Sequence, residues 1–253
     1  TVTLERRKGM GSQEFLERHY AAARPVILVG EMDDWPALSR WNPDYLKARI
    51  GSAPVQYQGG RSANKQFEME KDRHLREAPF DSFIDQITHN AGNDAYLTAY
   101  NSERNRAALL PLVQDMGFLD KFLARDHPTP NGMMWIGPGG TFTSLHHDLT
   151  NNLIAQVTGR KSVTLVPAAE VGKLYNHRHV FSTIADLDDP TLDRRLFPRL
   201  AEVRRYDIIL EPGEILFVPL GWWHQVRSLS FSVTITFTNF LWRNDGYTTY
   251  PEG

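Results

Sequence analysis

Cysteine is absent from the 253 residues, which excludes disulfides, thiolate metal sites and cysteine nucleophiles. No apolar run reaches the length of a membrane span, and the first residues lack the apolar core of a signal peptide. Positive charge is not in excess either, because 28 Lys and Arg face 30 Asp and Glu. A general nucleic-acid surface needs a basic face. We therefore expect a cytoplasmic protein without membrane contacts, and we do not expect nucleic acid as a partner.

Helix and strand patterns alternate in the first half of the chain. Asn42-Pro43 is typical of a helix start and Gly51 of a helix end. The patterns predict helices over 13–22 (capped by Ser12), 43–50 and 79–90, strands over 26–29 and 96–100, and a helical or irregular connector over 103–130.

From Met133 onward, strand-length runs alternate with Gly and Pro turns. Eight short strands with close turns predict an antiparallel sandwich or barrel. A long insertion, with a helix near 168–174, separates the first four strands from the last four. The eight runs are MMWIG, TFTSLHHD, NLIAQVTG, KSVTLVP, RRYDIILEPG, EILFVPLG, WWHQVRSL and FSVTITFTNF.

One strand carries a metal-ligand spacing. Residues two apart in a strand face the same way, so His146 and Asp148 project together while His147 points to the opposite side. The third ligand that we predict is His224, directly after Trp223. Two imidazoles and one carboxylate leave three positions open on an octahedral ion, as in non-heme Fe(II) oxygenases.

Other interpretations of the histidines stay open. Zinc accepts the same ligands, so the spacing does not exclude a zinc hydrolase, and His224 could be a hydrogen-bonded core residue. His177 and His179 form a rival pair, which we interpret as solvated or substrate-facing. The remaining histidines are expected at the surface: His19, His74, His89 and His127.

Lys161 begins a strand that is otherwise typical of a protein core. A buried lysine is costly unless it is paired, and no acidic residue in the sheet segments is an obvious partner. A bound dicarboxylate would satisfy it. The alternative is an exposed lysine at the strand end, which is what we expect of its neighbour Arg160.

Motifs over nearly the full length of the chain carry a resemblance to a known family. They are Phe15-Leu16, Arg24-Pro25-Val26, Asp34-Trp35-Pro36, Trp41, Thr143-x-x-His146-x-Asp148-x-x-x-Asn152, Gly159-Arg160-Lys161, Leu174-Tyr175, Glu211 to Pro219, Gly221-Trp222-Trp223-His224 and Thr238-Asn239-Phe240. The chain resembles the JmjC-type, cupin-fold hydroxylases that depend on Fe(II) and 2-oxoglutarate, particularly the bacterial cupin-like branch and the factor-inhibiting-HIF asparaginyl hydroxylase.

The resemblance implies a mostly β fold, a double-stranded β-helix (cupin or jelly-roll barrel) with flanking N-terminal helices and a helical insertion. It implies one domain over 1–253, with a helix-strand region over 1–132, the barrel core over 133–242 and the insertion at about 168–200. Long insertions on a rigid barrel usually carry recognition. We expect segments 170–190 and 98–106 to flank the mouth of the site.

The resemblance also assigns residues. It implies His146, Asp148 and His224 as iron ligands, Lys161, Thr143 and Tyr96 as the site for the distal carboxylate of 2-oxoglutarate, and Asn152 and Asn239 near its metal-chelating end. Tyr100 is the alternative to Tyr96. Asn239 shares a strand face with Phe231 to Phe237, so we expect it to point into the barrel.

The function implied is hydroxylation of an amino-acid side chain in a protein or peptide by Fe(II), 2-oxoglutarate and dioxygen, with release of succinate. The alternatives are a small-molecule or natural-product hydroxylase, an N-methyl-lysine demethylase, and a non-catalytic metal-binding cupin. A tRNA-modifying role is a further alternative, and a homodimer stays open. The tRNA alternative depends on clustered arginines, which are Arg194, Arg195, Arg199, Arg204 and Arg205.

Overall fold

A computed structural model describes residues 3–251 of the chain. The α-helices are α1 Ser12–Phe15, α2 Ala37–Arg40, α3 Pro43–Ile50, α4 Phe80–His89 and α5 Ser102–Leu109. The strands are β1 Arg6–Lys8, β2 Val26–Val29, β3 Pro54–Gln58, β4 Leu75–Pro79, β5 Met133–Gly137, β6 Phe142–His147, β7 Asn152–Thr158, β8 Lys161–Val166, β9 Asn176–Arg178, β10 Phe181–Ser182, β11 Tyr206–Leu210, β12 Glu214–Val218, β13 Trp223–Ser228 and β14 Ser232–Phe237.

Two six-stranded sheets form the barrel. The first has the strand order β1-β2-β12-β7-β14-β5, and the second has the order β11-β8-β13-β6-β10-β9. The eight strands predicted after residue 133 are all present, and four of them lie in each sheet. Their neighbours within each sheet run antiparallel. The predicted jelly-roll, or double-stranded β-helix, fold is confirmed.

Three apolar clusters hold this arrangement together. The largest lies between the first sheet and the N-terminal helices, and includes Phe15, Leu153 and Ile235. A second lies between the two sheets, and a third packs the second sheet against the insertion. Because the N-terminal layer covers the first sheet, both faces of β14 are buried.

The helix predicted over 43–50 matches α3 residue for residue. The side chain of Asn42 accepts a 3.0 Å hydrogen bond from the backbone N–H of Tyr45 at the start of α3. Gly51 ends the helix with a φ of 66°, a left-handed conformation that favours glycine. The strand over 26–29 is also as predicted.

Two N-terminal predictions were wrong in detail. The segment expected to be a helix over 13–22 is a short α-helix continued by a π-helical turn over Leu16–Tyr20, and Gly11 rather than Ser12 occupies the cap position. The segment 96–100 is not a strand, because Thr98 and Asn101 form a reciprocal capping box that starts a 3₁₀ turn. Tyr96 and Leu97 make only isolated bridges.

Among residues 3–251, no helix combines the length and the apolar character needed to cross a bilayer.

Asp115 is a buried carboxylate that fastens the N-terminal layer together. It accepts hydrogen bonds from Arg40 (3.0 Å), the indole of Trp41 (3.1 Å) and the hydroxyl of Tyr45 (2.6 Å). Burial acts to raise the pKa of Asp115, but hydrogen bonds from Tyr45, Trp41 and Arg40 outweigh burial and hold the pKa below 3.8. The native state therefore binds this proton less readily than the unfolded chain does.

We predict that Asp115→Asn lowers the free energy of unfolding by about 1–3 kcal/mol at neutral pH, because the buried indole of Trp41 and the donors of Arg40 and Tyr45 lose a charged acceptor. The stabilisation from the carboxylate is present above its ordinary pKa of 3.8 and is lost as the pH falls through the lowered native value. Urea denaturation of the wild type and the variant, at neutral pH and again in acid below the lowered native pKa, measures this stabilisation. A difference between wild type and variant that does not shrink in acid would contradict the assignment.

Candidate functional site

A cavity of about 400 Å³ opens between the two sheets. Its walls come from the inner faces of both sheets and from the segment around Tyr96. Seven of the eight residues assigned to the site line this cavity: Tyr96, Thr143, His146, Asp148, Asn152, Lys161 and His224.

A β-bulge in β6 brings the residues of that strand to one side. In the pairing with β13, His224 lies opposite His146 and Val226 opposite Thr143. His146 lies three positions after Thr143 in β6, but Val226 lies only two positions after His224 in β13. β6 therefore contains an extra residue at this point. Thr143 and His146 would face opposite sides of a regular strand, yet both line the cavity. The sequence spacing carried no sign of this bulge.

The three predicted metal ligands meet in the cavity. His146 Nε2 lies 3.7 Å from Asp148 Oδ1, and His224 Nε2 lies 3.5 Å from Asp148 Oδ2. One ligand atom from each residue lies within 4.8 Å of the other two. Asn152 donates a 2.8 Å hydrogen bond to Asp148 Oδ2, which orients the carboxylate. Two imidazole nitrogens and a carboxylate on one side of an open cavity fit a divalent transition metal.

Backbone carbonyls fix the tautomer of both imidazoles. His146 Nδ1 donates to the carbonyl of Ser144 at 2.7 Å, and His224 Nδ1 donates to the carbonyl of Trp222 at 3.1 Å. Because a carbonyl only accepts, Nδ1 carries the hydrogen and the lone pair on Nε2 faces the site. Burial, and then the neighbouring His146, lower the pKa of His224 to about 4. Both effects keep this ring neutral, the form that binds metal.

The remaining histidines lie outside the metal cluster. His147 points away from the cavity, as predicted, and packs between Trp223 and Tyr250, where burial lowers its pKa. His177 and His179 are exposed and do not line the cavity. The surface location expected for two of the other four was wrong, because His19 and His74 are buried and bond to backbone carbonyls.

Lys161 points inward and is 3% exposed. Its ammonium donates a 2.9 Å hydrogen bond to the hydroxyl of Tyr96, which is 2% exposed. Within the described part of the chain, no carboxylate lies within 4.0 Å of this ammonium. Arg160, by contrast, is exposed and bonds to Glu211 at 3.0 Å. The cavity therefore contains a buried cation whose charge no nearby acid balances.

The choice between Tyr96 and Tyr100 favours Tyr96. Tyr100 also lines the cavity, but it is 46% exposed and donates its hydroxyl hydrogen to Asp72. Only Tyr96 bonds to Lys161. Tyr100 therefore belongs to the mouth of the cavity and Tyr96 to its interior.

The inward orientation predicted for Asn239 was wrong. Asn239 is not among the residues that line the cavity, and its amide donates to the carbonyls of Ala124 (2.7 Å) and Pro130 (3.3 Å). The apolar face of β14 packs on the N-terminal layer, while Thr234 and Thr236 on the other face line the cavity. The barrel interior is thus the polar face, and the alternation was assigned to the wrong side.

Both segments expected at the mouth contribute residues to the cavity wall. These are residues 98–100 from one segment and Val180 and Phe181 from the other. Glu68 and Lys71 also line the cavity but were missed. They lie in a charged, irregular stretch between β3 and β4, where no periodic pattern shows which side chains face inward.

Comparison with known families agrees with this geometry. The model of the family described as "Cupin-like domain" matches residues 12–246. The chain belongs to the cupin-like domain family. JmjC enzymes of this family use Fe(II), 2-oxoglutarate and dioxygen, and the cluster of His146, Asp148 and His224 fits the metal. The particular likeness to the asparaginyl hydroxylase branch stays a prediction.

Three curated relatives share 28–31% identity with this cupin-like chain. Lysine-specific demethylase JMJ30 of Arabidopsis thaliana is 31% identical over 96% of this chain and 55% of its own length. Lysine-specific demethylase 8 of Xenopus tropicalis is 28% identical over 89% of this chain and 50% of its own length. tRNA wybutosine-synthesizing protein 5 of Gallus gallus is 29% identical over 93% of this chain and 76% of its own length. The chain spans about half the length of the demethylase-named relatives.

We predict that His224→Ala weakens Mn(II) binding, because a ligand atom disappears. The loss should exceed the roughly 10–100-fold that follows when a residue hydrogen-bonded to a metal ligand is removed. His179→Ala, an exposed histidine outside the cavity, is the matched control and should bind Mn(II) like the wild type. Isothermal titration calorimetry measures both. Equal Mn(II) affinity in the two variants would reject His224 as a ligand.

Proposed function

We propose that this protein is an Fe(II)- and 2-oxoglutarate-dependent dioxygenase that hydroxylates an amino-acid side chain in a protein or peptide. The observation that carries the proposal is that one cavity holds both the His146, Asp148 and His224 cluster and a buried ammonium without a carboxylate partner. A metal-chelating diacid needs both features, one for each end. The same cavity is lined by residues 98–100, 180 and 181, among them the half-exposed Tyr100, from the two segments that we expect to flank its mouth.

The two ends of the cavity lie at different levels of the barrel. On β8, Lys161 is four residues from Leu165, which pairs with His224. The backbone of Lys161 is therefore about 13 Å along the strand from the level of His224, and the two side chains reach into the cavity from these different levels. A diacid, rather than a single carboxylate, can contact both.

Each site residue then has a role. His146, Asp148 and His224 would hold Fe(II), and Asn152 would keep the carboxylate of Asp148 oriented. Lys161, Tyr96 and Thr143 would bind the distal carboxylate by charge-assisted hydrogen bonds. With 2-oxoglutarate and dioxygen, the iron supplies oxidation of an unactivated C–H bond coupled to decarboxylation to succinate. Apolar side chains of the cavity wall, among them Trp135, Ile154 and Phe181, would limit the access of water.

We predict that Lys161→Met raises the KM for 2-oxoglutarate by about 10- to 100-fold, because a charge-assisted hydrogen bond is lost. Arg160→Met is the matched control, since its neighbouring cation faces solvent and pairs with Glu211. Succinate release at varied 2-oxoglutarate measures KM and kcat. If both variants kept the wild-type KM, Lys161 would not bind the cosubstrate.

The surroundings of the arginine cluster favour a protein or peptide over tRNA. Arg195 pairs with Asp193, Arg204 with Glu170, and Arg205 with Asp188 and Asp207. Arg194 donates to a backbone carbonyl. Paired arginines release fewer counterions when they meet a phosphate backbone, so this cluster makes a weak RNA-binding surface. The names of the demethylase relatives keep N-methyl-lysine demethylation as the second candidate.

A peptide library that includes N-methyl-lysine peptides distinguishes these reactions. We expect succinate release with Fe(II) and 2-oxoglutarate, and peptides that gain one oxygen atom by mass spectrometry. Peptides that lose a methyl group would instead identify a demethylase, and turnover of a metabolite pool alone would identify a small-molecule hydroxylase. Metal binding without any succinate release would identify a non-catalytic cupin.

We also propose that residues 1–132 and the barrel over 133–242 work as one domain.

A further inference from the structure

Arg61 is a buried cation directly behind the cavity wall. It begins a 3₁₀ turn that closely follows β3, and only 3% of its surface is exposed. Its Nη2 donates to the carbonyl of Phe142 at 2.8 Å and to Glu68 Oε1 at 3.2 Å. Its Nη1 has no hydrogen-bond acceptor among the described residues. Burial lowers the pKa of Arg61, but a guanidinium stays charged in a protein.

The guanidinium lies close to the ring of Tyr96. Its central carbon is 5.2 Å from the centroid of that ring and 4.3 Å from the centroid of Phe67. The ammonium of Lys161 is 5.6 Å from the same Tyr96 centroid and 2.9 Å from the hydroxyl. Tyr96 thus has the guanidinium of Arg61 near its ring and the ammonium of Lys161 beyond its hydroxyl. A buried cation interacts strongly with an aromatic ring, because water does not screen the interaction.

The other contacts of Arg61 reach two further parts of the cavity. Phe142, whose carbonyl accepts from Arg61, directly precedes Thr143 in β6. Glu68, which pairs with the guanidinium, lines the cavity with Lys71. Arg61 therefore connects the strand of Thr143, the ring of Tyr96 and the segment that carries Glu68.

We propose that Arg61 is a positioning residue for 2-oxoglutarate, which holds the phenol of Tyr96 in place beside Lys161 for the distal carboxylate. This inference rests on the proposed function. An ion pair with Glu68 alone would need neither the contact with the Tyr96 ring nor the burial of an unpaired Nη1. Arg61 does not line the cavity, so it acts through Tyr96 and not on the cosubstrate.

The test measures the Kd of 2-oxoglutarate by calorimetry on the Mn(II)-loaded protein, which binds without turnover. We expect Arg61→Met to raise this Kd about tenfold, and Arg61→Lys to raise it less, because lysine keeps a cation near the ring. The Kd of Mn(II) itself should not change. Arg40→Met is the control, because Arg40 also pairs with a carboxylate, that of Asp115, and neither residue lines the cavity.

A double-mutant cycle separates positioning from general destabilisation. In a Tyr96→Phe background, Arg61→Met should raise the Kd of 2-oxoglutarate by less than about twofold, because the hydroxyl it positions is already absent. If Arg61→Met does not fold, Arg61→Lys takes its place in the cycle.

Two results would overturn the inference. One is a wild-type Kd in both Arg61 variants while Lys161→Met weakens 2-oxoglutarate binding. The other is an effect of Arg61 that is undiminished in the Tyr96→Phe background. Failure of the wild-type protein to bind 2-oxoglutarate is a different result, since it rejects the proposed function and this inference with it.

Discussion

The burial of the Lys161 ammonium is the constraint on which the interior of the barrel depends. A cation inside a protein is costly unless an anion or several oxygens surround it, and the neutral hydroxyl of Tyr96 is the hydrogen-bond partner that the described residues supply. The lysine is held there regardless, because its strand β8 pairs with β11 and β13 and packs in the apolar cluster between the two sheets. The fold thus retains an unbalanced charge, which any anion entering the cavity would neutralise.

The metal cluster, by contrast, is organised by the backbone. Carbonyls two residues before His146 and His224 hold both rings in the same tautomer, and the pairing of β6 with β13 places the rings 4.2 Å apart. Asp148 follows β6 directly and is oriented by Asn152. The ligands are therefore oriented before a metal binds, which lowers the conformational entropy that binding has to overcome.

The sequence alone predicted the features that two patterns reveal. One is the alternation of side chains along a strand, and the other is a charged residue in an otherwise apolar strand. The eight strands and the shared side of His146 and Asp148 follow from such patterns. For Lys161 the pattern left an inward and an exposed orientation open, and the family resemblance favoured the inward one. The side of β14 that faces the cavity did not follow, because an N-terminal layer buries the opposite face as well, and so Asn239 was misplaced. Arg61 and Glu68 were missed since they lie in an irregular segment, where contacts far apart in sequence decide orientation.

The bulge in β6 makes the two ends of the cavity separable. Thr143 lies on one side of the extra residue, and His146 with Asp148 on the other. If the same residues alternated regularly at this point, Thr143 would turn away from the cavity while His146 and Asp148 kept their places. The bulge therefore lets one strand supply both the metal cluster and the end of the cavity nearer Lys161, and a local change in it would alter the second without moving the first.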